Sequence, residues 1–122
     1  MRRRRDWPER LNALLEEVQQ RPFVWGEWDC AAFCGAAVQC MTGVDHFAAY
    51  RGAYNNYAEA MQFLEEQGGY RAHVIRLLGP AIPVGQAQRG DVALLILADR
   101  EALGIVMGEK TAFVLEKGGC SF

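Results

Sequence analysis

One stretch of the chain, residues 30–41, would be apolar on nearly every side if it formed a helix. Gln39 is its single clearly polar residue, and the other positions hold Cys, Ala, Phe, Gly, Val or Met. A helix that is apolar all round is a buried helix, because none of its faces suits water. Asp29 is a favoured N-cap residue, and Gly43 suits the left-handed position that ends many helices. The sequence therefore predicts a central buried helix against which the rest of the chain packs.

Cys30 is the first residue of this predicted helix, directly after a turn-forming, aromatic-rich segment at residues 25–28. The positive end of a helix dipole favours a thiolate over a thiol and so raises nucleophilicity at neutral pH. This is the chemistry that a cysteine hydrolase requires. A second interpretation stays open at this point, since cysteine is among the most buried residue types. Cys30, Cys34 and Cys40 would then be small core residues.

Length and charge limit the classes of function. With 122 residues and 51% hydrophobic content, the chain is predicted to form one domain over residues 1–122. A net charge of -2 gives no general attraction to nucleic acid, so no specific nucleic-acid partner is expected. The four arginines at residues 2–5 predict a flexible basic tail at residues 1–5, able to contact phosphate or an acidic partner. We expect neither a signal peptide nor a membrane span.

The cysteines do not form the paired spacing of a disulfide framework or a zinc site. Three of the four cysteines lie in one predicted helix, where cysteines four or six residues apart are poor disulfide partners. A reducing compartment is therefore the simpler interpretation. No metal and no other cofactor is predicted, because zinc ribbons and fingers need closely paired ligands. The residues considered for zinc are Cys30, Cys34, Cys40, His46 and His73.

Helix signals come first along the chain and strand signals follow. Asp6 and Glu9 predict a capping box that opens a first helix, which ends before Pro22. Asn56 is the predicted N-cap of a third helix, and a short fourth helix is expected around residues 74–78. The tyrosines of the loop at residues 42–56 are expected to fold back over the core.

Three apolar segments at residues 91–97, 102–107 and 111–115 predict an antiparallel meander, since short charged or glycine-containing breaks separate them. The predicted fold class is α+β, with N-terminal helices packed on one face of a small C-terminal antiparallel sheet. The last of these strands would leave an apolar edge that another protein chain covers by strand addition. The alternative is that residues 117–122 fold back and shield this edge.

Several short motifs together resemble the NlpC/P60 superfamily of papain-like cysteine peptidases and amidases, which cut peptidoglycan stems. They are Phe-Val-Trp-Gly at residues 23–26, Asp-Cys at 29–30, Arg-Gly-Asp-Val at 89–92 and Leu-Gly-Ile-Val-Met-Gly at 103–108. More narrowly, the chain looks like a small phage or prophage branch found among tail genes. The resemblance implies a papain-like fold with these site residues: Cys30 as nucleophile and Asp29 beside it, and Trp25, Gly26, Trp28, Asp91, Ala102 and Gly104 in the cleft.

The resemblance also implies that the site is degenerate. The superfamily's general base is a histidine just ahead of the second strand, and this chain has Ala102 there. Thr111 is the one polar residue available for the third catalytic position. His46 and His73 match no motif position and are expected to be surface or hydrogen-bonded structural residues.

We therefore interpret the chain as a degenerate NlpC/P60-like component of a phage tail or of its assembly. The expected partners are other tail or baseplate proteins, and the expected location is the virion tail, or the bacterial cytoplasm during assembly. One alternative is an active cysteine peptidase or amidase that cleaves peptidoglycan stem peptides with Cys30 as nucleophile. Another is a module that binds cell-wall peptide in the old cleft.

Overall fold

The computed structural model describes residues 2–96, 101–116 and 118–121. Within these ranges the chain forms four α-helices, two short 3₁₀ helices and one four-stranded antiparallel sheet, so the predicted α+β class is confirmed. Each helix in these ranges is too short or too polar to span a bilayer. The helices are α1 (Trp7–Val18), α2 (Cys30–Thr42), α3 (Tyr57–Glu66) and α4 (Tyr70–Leu78), with 3₁₀ turns at Ala48–Tyr50 and Val84–Gln86. The strands are β1 (Val92–Ile96), β2 (Glu101–Val106), β3 (Thr111–Val114) and β4 (Cys120–Ser121).

Helix α2 is the central element that the sequence predicts. The Asp29 side chain accepts a hydrogen bond from the Ala32 amide, and Gly43 ends the helix in the left-handed conformation at φ 89°. Phe33 and Cys34 are fully buried. Helix α1 packs against one side of α2, and strands β2 and β3 pack against the other. An all-apolar helix is stable here because it is enclosed between a helix and a sheet.

The sheet is the predicted meander with one additional strand. Its order is β1-β2-β3-β4, and every neighbouring pair is antiparallel. The register places Leu94 opposite Leu103 and Ile105 opposite Ala112, and the last three of these residues are buried on the face toward α2. We call this the inner face of the sheet.

Of the two outcomes predicted for the edge at residues 111–115, the structure shows the fold-back of the chain's own end over the second half of β3. Strand β4 pairs with the second half of β3, with Val114 opposite Cys120, so the chain itself covers that part of the edge. Gly118 and Gly119 both adopt positive φ, which lets the chain reverse within a few residues. Leu97, at the end of the predicted first strand, and Lys117 and Phe122, in the predicted fold-back segment, lie outside the described residues.

Helix α1 ends before Pro22 as predicted but differs from its prediction at the start. The Asp6 side chain makes no capping bond, so the expected capping box is not formed. Its carboxylate accepts a hydrogen bond from Arg10 at 2.8 Å instead, because the guanidinium one turn later competes for the same oxygen. The helix ends at Val18, four residues before Pro22. Leu11, Leu15 and Val18 of this helix are buried in the core.

The predicted cap of α3 and the predicted burial of the tyrosines are both confirmed. The Asn56 side chain accepts a hydrogen bond from the Glu59 amide at 2.9 Å. Tyr50 and Tyr54 are both buried in the core. The loop between α2 and α3 therefore contributes two rings to the interior next to the start of α2.

The N-terminal arginines have defined contacts. The Arg3 guanidinium forms an ion pair with Asp91 at 2.6 Å and donates to the Arg89 carbonyl at 2.8 Å. It also lies 4.6 Å from the ring centroid of Trp7. The Arg4 amide donates to the Met41 carbonyl at the end of α2. The flexibility of residues 1–5 stays a prediction, and a test of it would ask whether the Arg3 and Arg4 contacts persist in solution.

Candidate functional site

A tight turn delivers the chain to Cys30. Val24 and Trp28 form an isolated antiparallel bridge, and the Val24 amide donates to the Trp28 carbonyl at 2.9 Å. Gly26, at the tip, adopts φ 81°, and a Cβ atom there would lie 2.0 Å from the Tyr54 carbonyl oxygen. No side chain fits so close to a backbone oxygen, so the turn requires glycine. The turn fixes the position from which α2 starts.

The buried Asp29 carboxylate accepts three hydrogen bonds. Its Oδ1 accepts from the Ala32 amide at 2.9 Å, and its Oδ2 accepts from the Gly26 amide at 3.1 Å and from the Tyr54 hydroxyl at 2.7 Å. Burial, followed by the charge of Asp29, raises the pKa of Tyr54, so the phenol remains a donor. Asp29 therefore holds the turn, the loop and the helix start together.

The Cys30 sulfur lies at the N-terminus of α2 in contact with a phenol. Its Sγ atom is 2.8 Å from the Tyr70 hydroxyl oxygen at the start of α4, and its side chain is half-buried. Burial and the neighbouring Cys30 raise the pKa of Tyr70 well above its ordinary value. A phenol that stays protonated cannot remove the thiol proton, but it can donate a hydrogen bond to a thiolate. Tyr70 can thus donate to a Cys30 thiolate but cannot serve as its base.

His73 forms its hydrogen bond with a buried tyrosine. The His73 Nδ1 atom is 2.8 Å from the Tyr50 hydroxyl oxygen, and the side chain is buried. Burial, together with the charge of Arg76, lowers the pKa of His73. The hydrogen bond seen at the Cys30 sulfur is the one to Tyr70. His73 is the satisfied structural histidine that we expected.

A small cavity opens beside the cysteine, with a volume of about 70 Å³. Cys30 and Ala102 both line it, so the positions assigned to the nucleophile and to the base share one cavity. The resemblance places a histidine at position 102, where this chain has alanine. Pockets that enclose small ligands typically have volumes of about 300 to 1,000 Å³. The other lining residues are apolar: Phe23, Trp25, Phe113, Val114 and Leu115.

One family matches the sequence, over nearly its whole length. A family model described as a domain of unknown function, DUF6950, matches residues 2–122. The chain belongs to the DUF6950 family. No curated protein and no solved structure matches it. For this DUF6950 domain, the geometry around Cys30 is therefore the basis for inferring a function.

In this DUF6950 chain, three residues predicted to lie in the cleft do not line the Cys30 cavity. Asp91 lies near the other end of α2, paired with Arg3. Gly104 lies in the middle of β2, between the side chains of Leu95 and Thr111. Trp28 is buried against Phe33 beneath the Arg21 guanidinium. Thr111, the candidate for the third catalytic position, pairs with Val106 and does not line this cavity.

The sequence analysis missed Tyr70, the residue that contacts the sulfur. It follows two glycines and opens a short helix, 40 positions after Cys30. One available signal was its spacing from His73, since residues three apart share a helix face. That signal places Tyr70 and His73 side by side but does not indicate what they face.

Proposed function

We propose that this DUF6950 domain is a degenerate, NlpC/P60-like cysteine-hydrolase fold that acts through binding rather than hydrolysis, as a component of a phage tail or of its assembly. The observation that carries the proposal is the shared cavity, in which Ala102 lies beside Cys30 where the resemblance places a general base. Acid and base assistance contributes about a hundredfold or more to such reactions. A site that lacks it is a weak hydrolase.

The arrangement of elements supports a papain-like origin. A cysteine opens a central helix, that helix packs on an antiparallel sheet, and the second strand passes the cysteine. The cavity supports the loss of activity, because about 70 Å³ of apolar space cannot enclose a peptide stem. The tail role rests on the resemblance of the motifs and carries the expectation of tail or baseplate partners.

Hydrolysis of peptidoglycan fragments tests the proposal directly. The wild-type domain and Cys30→Ala are incubated with the same stem-peptide substrates, and products are followed by mass spectrometry. We expect equal, background-level cleavage from both proteins. Cleavage by the wild type that disappears in Cys30→Ala would refute the proposed degeneracy. Binding to purified tail proteins encoded beside the gene then tests the assembly role.

A second experiment restores the missing base. Ala102→His introduces an imidazole at a residue that lines the Cys30 cavity, and Ala102→Gln adds a polar side chain there that does not titrate. If the two positions correspond to a catalytic pair, the histidine variant should be alkylated by iodoacetamide at least about tenfold faster near pH 7 than the glutamine variant. The pH dependence of the alkylation rate of the histidine variant should also show a second ionisation. Equal rates in the two folded variants would show that the pairing is wrong.

One observation favours an active hydrolase as the second candidate. The Tyr70 hydroxyl lies 2.8 Å from the Cys30 sulfur, at a helix N-terminus that favours a thiolate. Under this alternative, Tyr70→Phe lowers both peptide cleavage and the alkylation rate of Cys30. Under the degenerate reading, Tyr70→Phe changes the alkylation rate and leaves cleavage at background.

A further inference from the structure

A second cavity lies toward the opposite end of α2 from Cys30. Its volume is about 260 Å³, against about 70 Å³ beside the cysteine, and it is partly open to solvent. The C-terminal half of α2, helix α4 and the start of β1 form its walls, and residues 79–82 form one side. All of its lining residues differ from those of the Cys30 cavity, so it is a separate site.

The α4 wall of this cavity is one face of the helix. Residues three, four and seven positions apart share a helix face, and the lining residues of α4 have this spacing: Arg71, Val74, Ile75 and Leu78. The three apolar ones are half-buried, and α4 packs most closely with α3. Protein interiors leave few gaps larger than a water molecule. An apolar helix face over a gap of this size therefore indicates space for a ligand.

The charged residues that line the cavity leave one positive charge available. The Asp91 carboxylate is already used within the protein, since one oxygen pairs with Arg3 and the other accepts from the Gln88 amide at 2.8 Å. In the part of the chain that the structure describes, Arg71 pairs with no carboxylate. It lines the cavity and is exposed to solvent. A guanidinium offers paired donors that match a carboxylate, so the charge complement of this cavity is an organic acid.

The volume of the cavity sets the size of the ligand. An apolar cavity of about 150 Å³ holds one benzene molecule, which has about six non-hydrogen atoms. On that scale, a cavity of about 260 Å³ holds about ten. We propose that this cavity binds a monocarboxylate with an apolar chain of about eight carbon atoms. The chain lies between Val38 of α2 and Val74 and Ile75 of α4, and the carboxylate accepts hydrogen bonds from Arg71.

Titration of the full chain, followed by its ¹H–¹⁵N amide spectrum, tests this proposal. The probe is sodium octanoate, whose size matches the cavity, and octanamide is its uncharged counterpart of the same shape. We expect octanoate to bind with a Kd of about 1 mM or below, and to shift the amides of α4 and of the C-terminal half of α2. Octanamide should bind at least about tenfold more weakly, because it lacks the charge that strengthens hydrogen bonds to a guanidinium.

Arg71→Gln removes the charge and keeps a polar side chain. It should weaken octanoate binding about tenfold and leave octanamide binding unchanged. Arg76→Gln is the matched control, since it makes the same change of net charge on the same helix. Arg76 does not line the cavity, and its guanidinium donates to the Gln67 carbonyl, so octanoate affinity should be unchanged.

A variant that fills the cavity tests its location. Ile75→Trp should abolish the binding of both probes, because the larger ring takes the place of the chain. Circular dichroism verifies that the variant is folded, and if it is not, Val74→Phe makes the same test.

Four results would overturn the proposal. The first is no octanoate binding up to about 5 mM, even if a partner protein shifts the same amides. The second is equal affinity for octanoate and octanamide. The third is an Arg76→Gln variant that loses as much octanoate affinity as Arg71→Gln. The fourth is octanoate binding that persists in the folded, filled variant.

Discussion

The hydrogen bond between Tyr54 and Asp29 gives the sharpest test of how the start of α2 is built. The phenol donates to the carboxylate at 2.7 Å, and the carboxylate is 1% exposed. Hydrogen bonds to charged groups contribute about 1.5 to 3 kcal/mol. Tyr54→Phe keeps the ring that packs against Phe63 and removes only the donor. We expect it to lower the free energy of unfolding by about 1.5 to 3 kcal/mol.

Asp29→Ala should cost more, because it removes the acceptor for three donors. The loss of an N-cap contributes about 1 kcal/mol, and removing one partner of a buried charged network typically costs about 3 to 5 kcal/mol in total. The double variant, Asp29→Ala with Tyr54→Phe, should cost less than the sum of the single losses. The difference is the coupling energy, which we expect to be about 1.5 to 3 kcal/mol.

Guanidinium unfolding, monitored by tryptophan fluorescence and by circular dichroism, measures the stability of the wild type, the two single variants and the double variant. Asp29→Asn is the control, because its amide oxygen keeps an acceptor for the cap while the charge is lost. Asp29→Asn should lower the free energy of unfolding, but by less than Asp29→Ala does. Strictly additive losses, with a coupling energy below about 0.5 kcal/mol, would refute the network.

Three further predictions concern the core, the turn and the buried histidine. Phe33→Ala should lower the free energy of unfolding by about 3 to 5 kcal/mol, since Phe33 is 0% exposed. Gly26→Ala should cost more than the 1 to 3 kcal/mol or so of backbone strain alone, because its Cβ would also meet the Tyr54 carbonyl. Because the pKa of His73 is lowered from 6.5, the unfolded chain binds its proton first. The free energy of unfolding should therefore hold above pH 6.5 and fall as the pH drops from there through the folded-state pKa.

Each of these has a matched control. Phe33→Leu should cost clearly less than Phe33→Ala, and equal or negligible losses would mean that α2 is not enclosed. Gly52 has φ 73° and open space around its Cβ position, so Gly52→Ala measures backbone strain alone. A Gly26→Ala loss no larger than that of Gly52→Ala would contradict the close approach. For His73, denaturation series between about pH 4 and 8 on the wild type and His73→Gln should differ in slope, and identical slopes would exclude His73 as the cause.

Features set by neighbouring residues could be predicted from the sequence. Asp29, Gly43 and Asn56 act as helix ends through bonds that span three or four residues, and the composition of α2 itself dictates burial. The antiparallel meander follows in the same way from short breaks between apolar segments. A local signal fails when another group competes for the same atom. The Asp6 carboxylate accepts a hydrogen bond from Arg10 instead of from the helix amides.

Features set by distant residues could not be predicted. The contact between Cys30 and Tyr70 joins two helix starts that are 40 positions apart, and no periodic pattern encodes it. Strand β4 has two residues, which is too short for an alternating signal. It forms because the turn at Gly118 and Gly119 returns the chain to β3. The shared cavity of Cys30 and Ala102 also joins distant residues, and only the resemblance, not a local pattern, placed the two together.

The cap of α2 is completed by a part of the chain that lies beyond the helix itself. Gly52 donates its amide to the Gly26 carbonyl at 2.9 Å, and Tyr54 supplies the third donor to Asp29. A synthetic peptide of residues 22–42 therefore lacks two of the bonds that define the helix start. During refolding, protection of the Ala32 amide from hydrogen exchange should appear only after residues 50–54 have docked. That amide is thus a single-residue probe of when the cysteine acquires its native surroundings.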